Sequence, residues 1–406
     1  MLRTLGIIAE YNPFHYGHLY QLKKARTLTQ AECIIVLMSG NVVQRGEFPI
    51  LDKWHRAELA LKNGADLVLE LPLNASLQAA DFFAGSSVDI MKDLEVDYLA
   101  FGSESAELAD LQAYLDFIEL IDADLQKNIR LLLKEGKAYP AAYQTAVAQQ
   151  LKQHEYSLSF DPSASNQMLG ILYLKALKGS KIQPIVIPRL KETQELEQWI
   201  ELPHELQPIS ILSGSQIRKE VQEGVLKARN LPIMTWQKLQ MHSLIEWQDY
   251  YTLLNYAILA LGKEGLAKIQ GMVEGMESAI YKQNLKTQSW EELVDALTSS
   301  RWTRSAVQRL LMMVLLHIDQ TMWQSYLTKN KKQKVLRILA FNQVGRAFLS
   351  SFNSEKLKLF SNLSQEIADN YHLSLQVDSI LQANPNKKTE EQVIAKHPIY
   401  LNEPYL

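Results

Sequence analysis

Five short apolar runs in the first half of the chain, Leu5–Ala9, Cys33–Met38, Leu67–Leu71, Tyr98–Phe101 and Ile182–Ile187, alternate with stretches of helical spacing. Runs this short, rich in Ile, Val and Leu, suit strands buried on both faces. Strand–helix alternation then favours a parallel sheet covered by helices on both sides. The expected fold class is α/β, with a Rossmann-like parallel sheet. In such sheets ligands sit beyond the carboxyl ends of the strands, where strand order reverses. Those ends read EYNPFHYGH, MSGNVVQRG, ELPLN, FGSES and IPRLK, a rim rich in Gly, Asn, Ser, His and Arg.

The gap from Ser103 to Lys181 is too long for one crossover helix. Its helical patterns at Leu108–Leu133, Ala141–Gln153 and Asn166–Leu177 predict a helical insertion over about residues 104–180. From Leu231 onward strand signal is weak, and Met, Trp, Tyr and Leu recur at spacings of three and four, which predicts an all-helical second half. Gly224 and Pro232 punctuate EGVLKARNLP, so the expected division is a domain over 1–225 and a helical domain over 226–406. A chain of 406 residues, 47% apolar, is long enough for two cores.

Cys33 is the only cysteine, which excludes an internal disulfide and a cysteine-rich metal site. The apolar N-terminal run meets Glu10 at once, unlike a secretory signal, and the run Leu310–Leu316 is too short to span a bilayer. A soluble cytoplasmic protein without a membrane partner is expected. Residues 1–220 hold 21 Lys/Arg against 28 Asp/Glu, and residues 221–406 hold 21 against 17. A basic second half suits a polyanionic partner, although ordinary surface variation gives the same numbers.

Residues 6–22, GIIAEYNPFHYGHLYQL, run from the first strand into a helix and carry His15 and His18 on either side of Gly17. A helix N-terminus offers unpaired N–H groups and the positive end of the dipole, which suits phosphate. Glycine lets an anion approach the main chain, and two imidazoles can donate hydrogen bonds to phosphate oxygens. The stretch reads as a cradle for a nucleoside triphosphate. Half of a metal site, for which no third ligand is evident, and two histidines capping a turn are the other readings. Further on, SGSQIRKE (213–220) lets Ser213 or Ser215 cap a helix while Arg218 projects from its first turn, giving a second candidate phosphate site. Alone, that motif is equally an ordinary capped helix.

Together the two motifs resemble the nucleotidyltransferase superfamily that pairs HxGH with a distal Ser…Ile-Arg element. EYNPFHYGH, MSGNVVQRGEFP, LVLELP, FGSE, SNQMLGILYLKAL, RWTRSAVQRLL and FNQVGRAFL are, more narrowly, similar to blocks of the bacterial tRNA(Met) cytidine acetate ligase family. They span almost the whole chain. The resemblance implies a nucleotidyltransferase domain that uses ATP to activate acetate as acetyl-adenylate, and Mg²⁺ is expected with the nucleotide because no residue cluster here would neutralise a triphosphate alone. The acetyl group then passes to N4 of the wobble cytidine of elongator tRNA(Met). Carried over by position, the catalytic residues are His15, His18 and Arg218. The ATP loop comprises Ile7, Ile8, Ala9, Glu10, Tyr11, Asn12, Pro13, Phe14, Tyr16, Gly17, Leu19 and Tyr20. Gly102, Asn166, Pro188 and Arg189 complete the nucleotide site with Ser213 and Ser215, and Arg45 adds positive charge. No protein-held metal is expected, and nothing specifies an oligomer. The chain departs from the family after Arg189: an aromatic-plus-His segment is replaced by LKETQELEQWIELPHEL.

For RNA, RWTRSAVQR supplies Arg301, Arg304 and Arg309, and KNKKQKVLR supplies Lys329, Lys331, Lys332, Lys334 and Arg337. A cationic face of this kind can seat tRNA phosphates, or simply be solvated. Trp290, Trp302 and Trp323 can stack on bases, but their helical spacing favours core packing. Two rival functions use the same residues. One is a nucleotidyltransferase joining a nucleoside monophosphate to a small phosphorylated substrate, and the other a non-catalytic RNA-binding regulator.

Overall fold

The computed structural model describes residues 2–105, 107–190, 192–200, 210–384, 386–387 and 389–402. The five expected strands are present as β1 (Thr4–Ala9), β2 (Cys33–Ser39), β3 (Leu67–Leu71), β4 (Tyr98–Ser103) and β5 (Gln183–Pro188). They pair in parallel, in the order β5-β4-β1-β2-β3. Every residue of β2 is buried. Cys33, Ile35 and Leu37 enter the core on one face, with Phe83, Val88 and Ile171. Ile34, Val36 and Met38 enter the core on the other face, with Leu22, Ala25 and Ala57. Two-sided burial is why the strands read as continuous apolar runs.

After β1 the chain forms α1 (Tyr16–Thr29), and after β2 it forms α2 (Lys53–Lys62). Between β4 and β5 lie helices Leu108–Leu120, Asp122–Lys134, Tyr139–Gln153 and Ser165–Leu177. The sheet continues β1→β2→β3 to one side while β4 and β5 lie on the other, so strand order reverses at the β1/β4 crevice.

The second half is helical through Lys332 but not to its end, which corrects the all-helical expectation. β6 (Lys334–Asn342) pairs antiparallel with β3, and β7 (Leu357–Phe360) and β8 (Ile399–Leu401) pair with β6. The sheet thus draws strands from both sides of residue 226. β6 is hidden in the sequence because Lys334 and Arg337 make it read as part of a basic helix. Arg337 is in fact buried, 4.8 Å above the Trp54 ring and 3.9 Å from Asp378. Lys334 pairs with Asp93 at 2.5 Å. Lys53 of α2 meets Glu70 of β3 and Asp378 of the helix Gln365–Gln382 at 3.0 and 2.6 Å, a fully buried charge cluster. Such a cluster is retained only if well paired, and removing one partner costs roughly 3–5 kcal/mol.

The helices from Trp247 to Lys332 have their own core, built on Tyr250, Leu254, Trp290, Leu311 and Trp323. Val42 and Phe48, from the loop after β2, belong to that core too. Trp247 Nε1 donates to the Gly46 carbonyl at 2.9 Å, and Gln308 Nε2 to Glu47 at 3.0 Å. The helical body therefore shapes a loop at the carboxyl edge of the sheet. In the departing segment, Thr193–Glu197 is helical, and residues 191 and 201–209 lie outside the described residues.

Candidate functional site

β1 ends at Ala9 and the chain turns through Tyr11, whose φ of 49° is left-handed, before α1 begins. Three groups hold the turn. Asn12 Oδ1 accepts the Ile50 N–H at 2.8 Å. The buried Arg56 guanidinium donates to the carbonyls of Glu10, Ser39 and Gly40, clamping the ends of β1 and β2. Arg218 Nη1 donates to the Asn12 carbonyl at 2.8 Å. That last bond joins the distal motif to the HxGH turn. Ser213 N-caps the helix Gly214–Gln222 by accepting the Gln216 N–H, and its hydroxyl lies 3.2 Å from that of Ser215. Arg56 is not foreseen by the sequence; no motif pairs it with carbonyls in two other elements.

His15 is the N-cap residue of α1, with its ring stacked on that of His18, centroids 3.6 Å apart and planes 18° apart. A Cβ on Gly17 would lie 2.9 Å from His15 Cε1, so glycine makes room for the imidazole pair. The space beside the glycine, read from the sequence as open to an anion, holds the edge of the His15 ring. The His15 N–H donates to His18 Nδ1 at 3.2 Å, so a neutral His18 carries its proton on Nε2. The Tyr11 ring meets His18 edge-on at 4.8 Å, and Phe14 lies tilted at 5.6 Å. Burial holds His18 well below the ordinary imidazole range, with His15 adding to the effect. Burial, and then the Arg189 charge, bring His15 down to about 3. Both rings are therefore neutral at pH 7. His15 Nδ1 is buried without a partner among the described residues.

Across the crevice, the Arg189 N–H bonds to the Ser103 carbonyl at 2.8 Å, and its side chain is exposed. Pro188 closes β5, and the backbone at Gly102 faces open space. Glu104 caps the helix Ser165–Leu177, its two oxygens accepting the N–H groups of Asn166 and Gln167 at 3.0 and 2.9 Å. Gln167 Oε1 accepts in return from the Glu104 N–H at 2.7 Å. These two residues, also unforeseen, set the head of that helix against the end of β4. On the β2 side, Glu10 accepts the Gln44 N–H at 2.8 Å. Burial drives the Glu10 carboxyl upward, opposed first by that N–H, while Glu47 raises it further and Arg45 and Arg218 lower it. Glu47 lies 3.9 Å from Arg218.

His15, His18, Gly102, Asn166, Arg189, Ser213 and Arg218 thus gather around the carboxyl ends of β1, β4 and β5. Ile7, Tyr11, Phe14, Tyr16, Leu19 and Tyr20 belong to the apolar core, so they support the loop from beneath. The basic residues are more scattered. Arg304 is tied to Glu291 and to Asp295, the latter at 2.5 Å. Arg309 is half-buried, and burial holds its guanidinium below the usual range. Arg301, Lys329, Lys331 and Lys332 are exposed. Trp290 stacks on Trp247 at 3.7 Å, and both are buried with Trp323, as core packing requires.

Residues 2–395 match the profile of the family described as HIGH Nucleotidyl Transferase. A tRNA(Met) cytidine acetate ligase from Latilactobacillus sakei is 35% identical over 374 residues, 90% of this chain and 89% of that one. The Acetivibrio thermocellus protein of the same name is 33% identical over 372 residues, 87% of this chain and 86% of its own length. The chain belongs to the tRNA(Met) cytidine acetate ligase family of HIGH nucleotidyltransferases. This family member is also similar to Thermotoga maritima TmcAL bound with alpha-thio ATP. That likeness has a TM-score of 0.82 at 26% identity, covering 99% of this chain and 100% of that one. No helix among the described residues is long and apolar enough to cross a membrane.

Proposed function

We propose that the chain is an ATP-dependent ligase that acetylates N4 of the wobble cytidine of elongator tRNA(Met) by way of acetyl-adenylate. The observation that carries this reading is the paired neutral imidazoles, flanked by Arg189 and Arg218, at the point where strand order reverses. The Thermotoga neighbour with a nucleotide analogue supports the nucleotide part, and the relatives' names support tRNA(Met) and acetate.

The triphosphate lies over the head of α1, with His18 Nε2–H donating to a phosphate oxygen. His15 stacks against that ring and holds it in place. An acetate oxygen attacks the α-phosphorus, the bond to the bridging oxygen of the β-phosphate breaks, and pyrophosphate leaves with the electron pair. Arg189, Arg218 and Arg45 offset the charge that develops. Catalysis of this kind is positioning and electrostatic stabilisation, so one lost donor costs about 10²–10³ in rate. The N4 amine then attacks the acetyl carbon, AMP departs, and the amine's proton goes to solvent. An anticodon-loop base is already unstacked enough to be reached. The carboxylates nearest the phosphates, Glu10 and Glu47, are engaged by Gln44, Gln308 and Arg218. This donor set fits a Mg²⁺ held by phosphate oxygens and water rather than by a protein cage. Such an ion would neutralise phosphate charge.

The test incubates the protein with ATP, labelled acetate and bulk tRNA, followed by nucleoside analysis. Labelled N4-acetylcytidine with release of AMP is expected. Nucleotide left attached to a small phosphorylated substrate would favour the rival transferase.

A further inference from the structure

Away from the crevice, a second pair of imidazoles meets a carboxylate. His55 of α2, His242 just after the helix Ile233–Met241, and Glu390 bring three donor atoms within 4.8 Å of one another. His55 Nε2 lies 3.4 Å from Glu390 Oε1, and His242 Nδ1 lies 3.2 Å from the same oxygen. Tetrahedral zinc with bonds of about 2.0–2.2 Å spaces its ligands by roughly 3.3–3.5 Å. Both separations are close to the edges of such a tetrahedron.

The surroundings are built for the same purpose. Asp52 Oδ1 lies 3.0 Å from His55 Nδ1, and its other oxygen accepts from Gln392 Nε2 at 3.0 Å. Asp52 on Nδ1 fixes the His55 ring so that Nε2 faces Glu390 Oε1 at 3.4 Å, longer than a charge-assisted N–H···O bond and wide enough for a cation between them. A carboxylate behind a ligating imidazole is the usual support of a zinc site. Lys396 lies 3.5 Å from Glu390 Oε2, leaving Oε1 for a single bond to the ion. Glu390 is exposed, so a fourth position opens to water.

We propose that His55, His242 and Glu390 form a Zn²⁺ site with water as the fourth ligand and Asp52 as the positioning carboxylate. The ion would bind the segment near residue 390 to α2 and to the helix Ile233–Met241. The site shares α2 with Arg56 but includes none of the residues assigned to the adenylation chemistry.

The test is titration of the purified, chelator-treated full chain with Zn²⁺ against a chromophoric chelator. Co²⁺ substitution then reads the geometry through its visible absorption. One tight equivalent is expected, with a tetrahedral Co²⁺ spectrum. Glu390→Gln and His242→Gln, which alter exposed or half-exposed side chains and leave folding intact, should each weaken binding at least tenfold. Asp52→Asn, which keeps a good helix cap, should weaken it about 10–100-fold. His18→Ala should bind Zn²⁺ as the parent does. Absence of a tight equivalent, or binding unaffected by Glu390→Gln and His242→Gln, would overturn the proposal. In either case a proton alone joins these side chains.

Discussion

At the scale of single residues, the account depends on two imidazoles kept neutral by their surroundings. His15 and His18 have folded values below the roughly 6.5 of an unfolded histidine. As pH falls below about 6.5, the unfolded chain takes up protons that the folded rings refuse, so stability declines. It is fully present above that pH. Urea midpoints between about pH 7.5 and 5 should fall with acidification, and less steeply in His18→Gln, which lacks one of the two groups. Equal slopes in both proteins would mean that His18 titrates freely in the fold. Gly17 makes a second point at this scale. The sequence suggests open space for an anion, and the structure fills it with the His15 ring. Replacement by alanine should therefore reduce adenylation by displacing His15, and comparing kcat with KM for ATP checks this.

At the scale of elements, legibility follows chemistry. β1 to β4 are readable because parallel strands with buried interiors are uniformly apolar, and the half-buried edge strand β5 keeps the apolar run Ile185–Ile187. The β1–α1 turn is readable because its residue types are unusual for a turn. β6 is not, since its charged residues find partners, the buried Trp54 and Asp378 for Arg337 and Asp93 for Lys334, that lie far away in the chain. Arg56, Glu104 and Gln167 are missed for the same reason: their acceptors and donors sit on other elements. The junction after β6 offers a test of how tightly this late strand is held. Asn342 Nδ2 donates to Asp66 at 2.8 Å, and a Cβ on Gly345 would lie 2.1 Å from the Asp66 carbonyl oxygen. Backbone cannot yield there cheaply. Gly345→Ala should cost about 1–3 kcal/mol in urea denaturation. A loss within error would show that the junction relaxes freely.

At the scale of the whole molecule, one sheet carries the crevice while the helical body presents the basic surface. Of the cationic residues read from the sequence, Arg304, Lys334 and Arg337 already have acidic partners, and Arg309 is half-buried. Arg301, Lys331 and Lys332 remain exposed, and our proposal is that they meet tRNA phosphates. Lys331→Ala with Lys332→Ala should weaken tRNA binding and lower the log–log salt slope by about 0.7–0.9 for each phosphate left without its lysine. Affinity and slope equal to the parent's would move the RNA surface elsewhere. The central claim is that the β1/β4 crevice adenylates a carboxylate, and it is tested most directly by ATP–pyrophosphate exchange without tRNA. The account predicts exchange that requires acetate and falls about 10²–10³-fold in His18→Ala. Exchange that ignores acetate, or that survives His18→Ala undiminished, would contradict it.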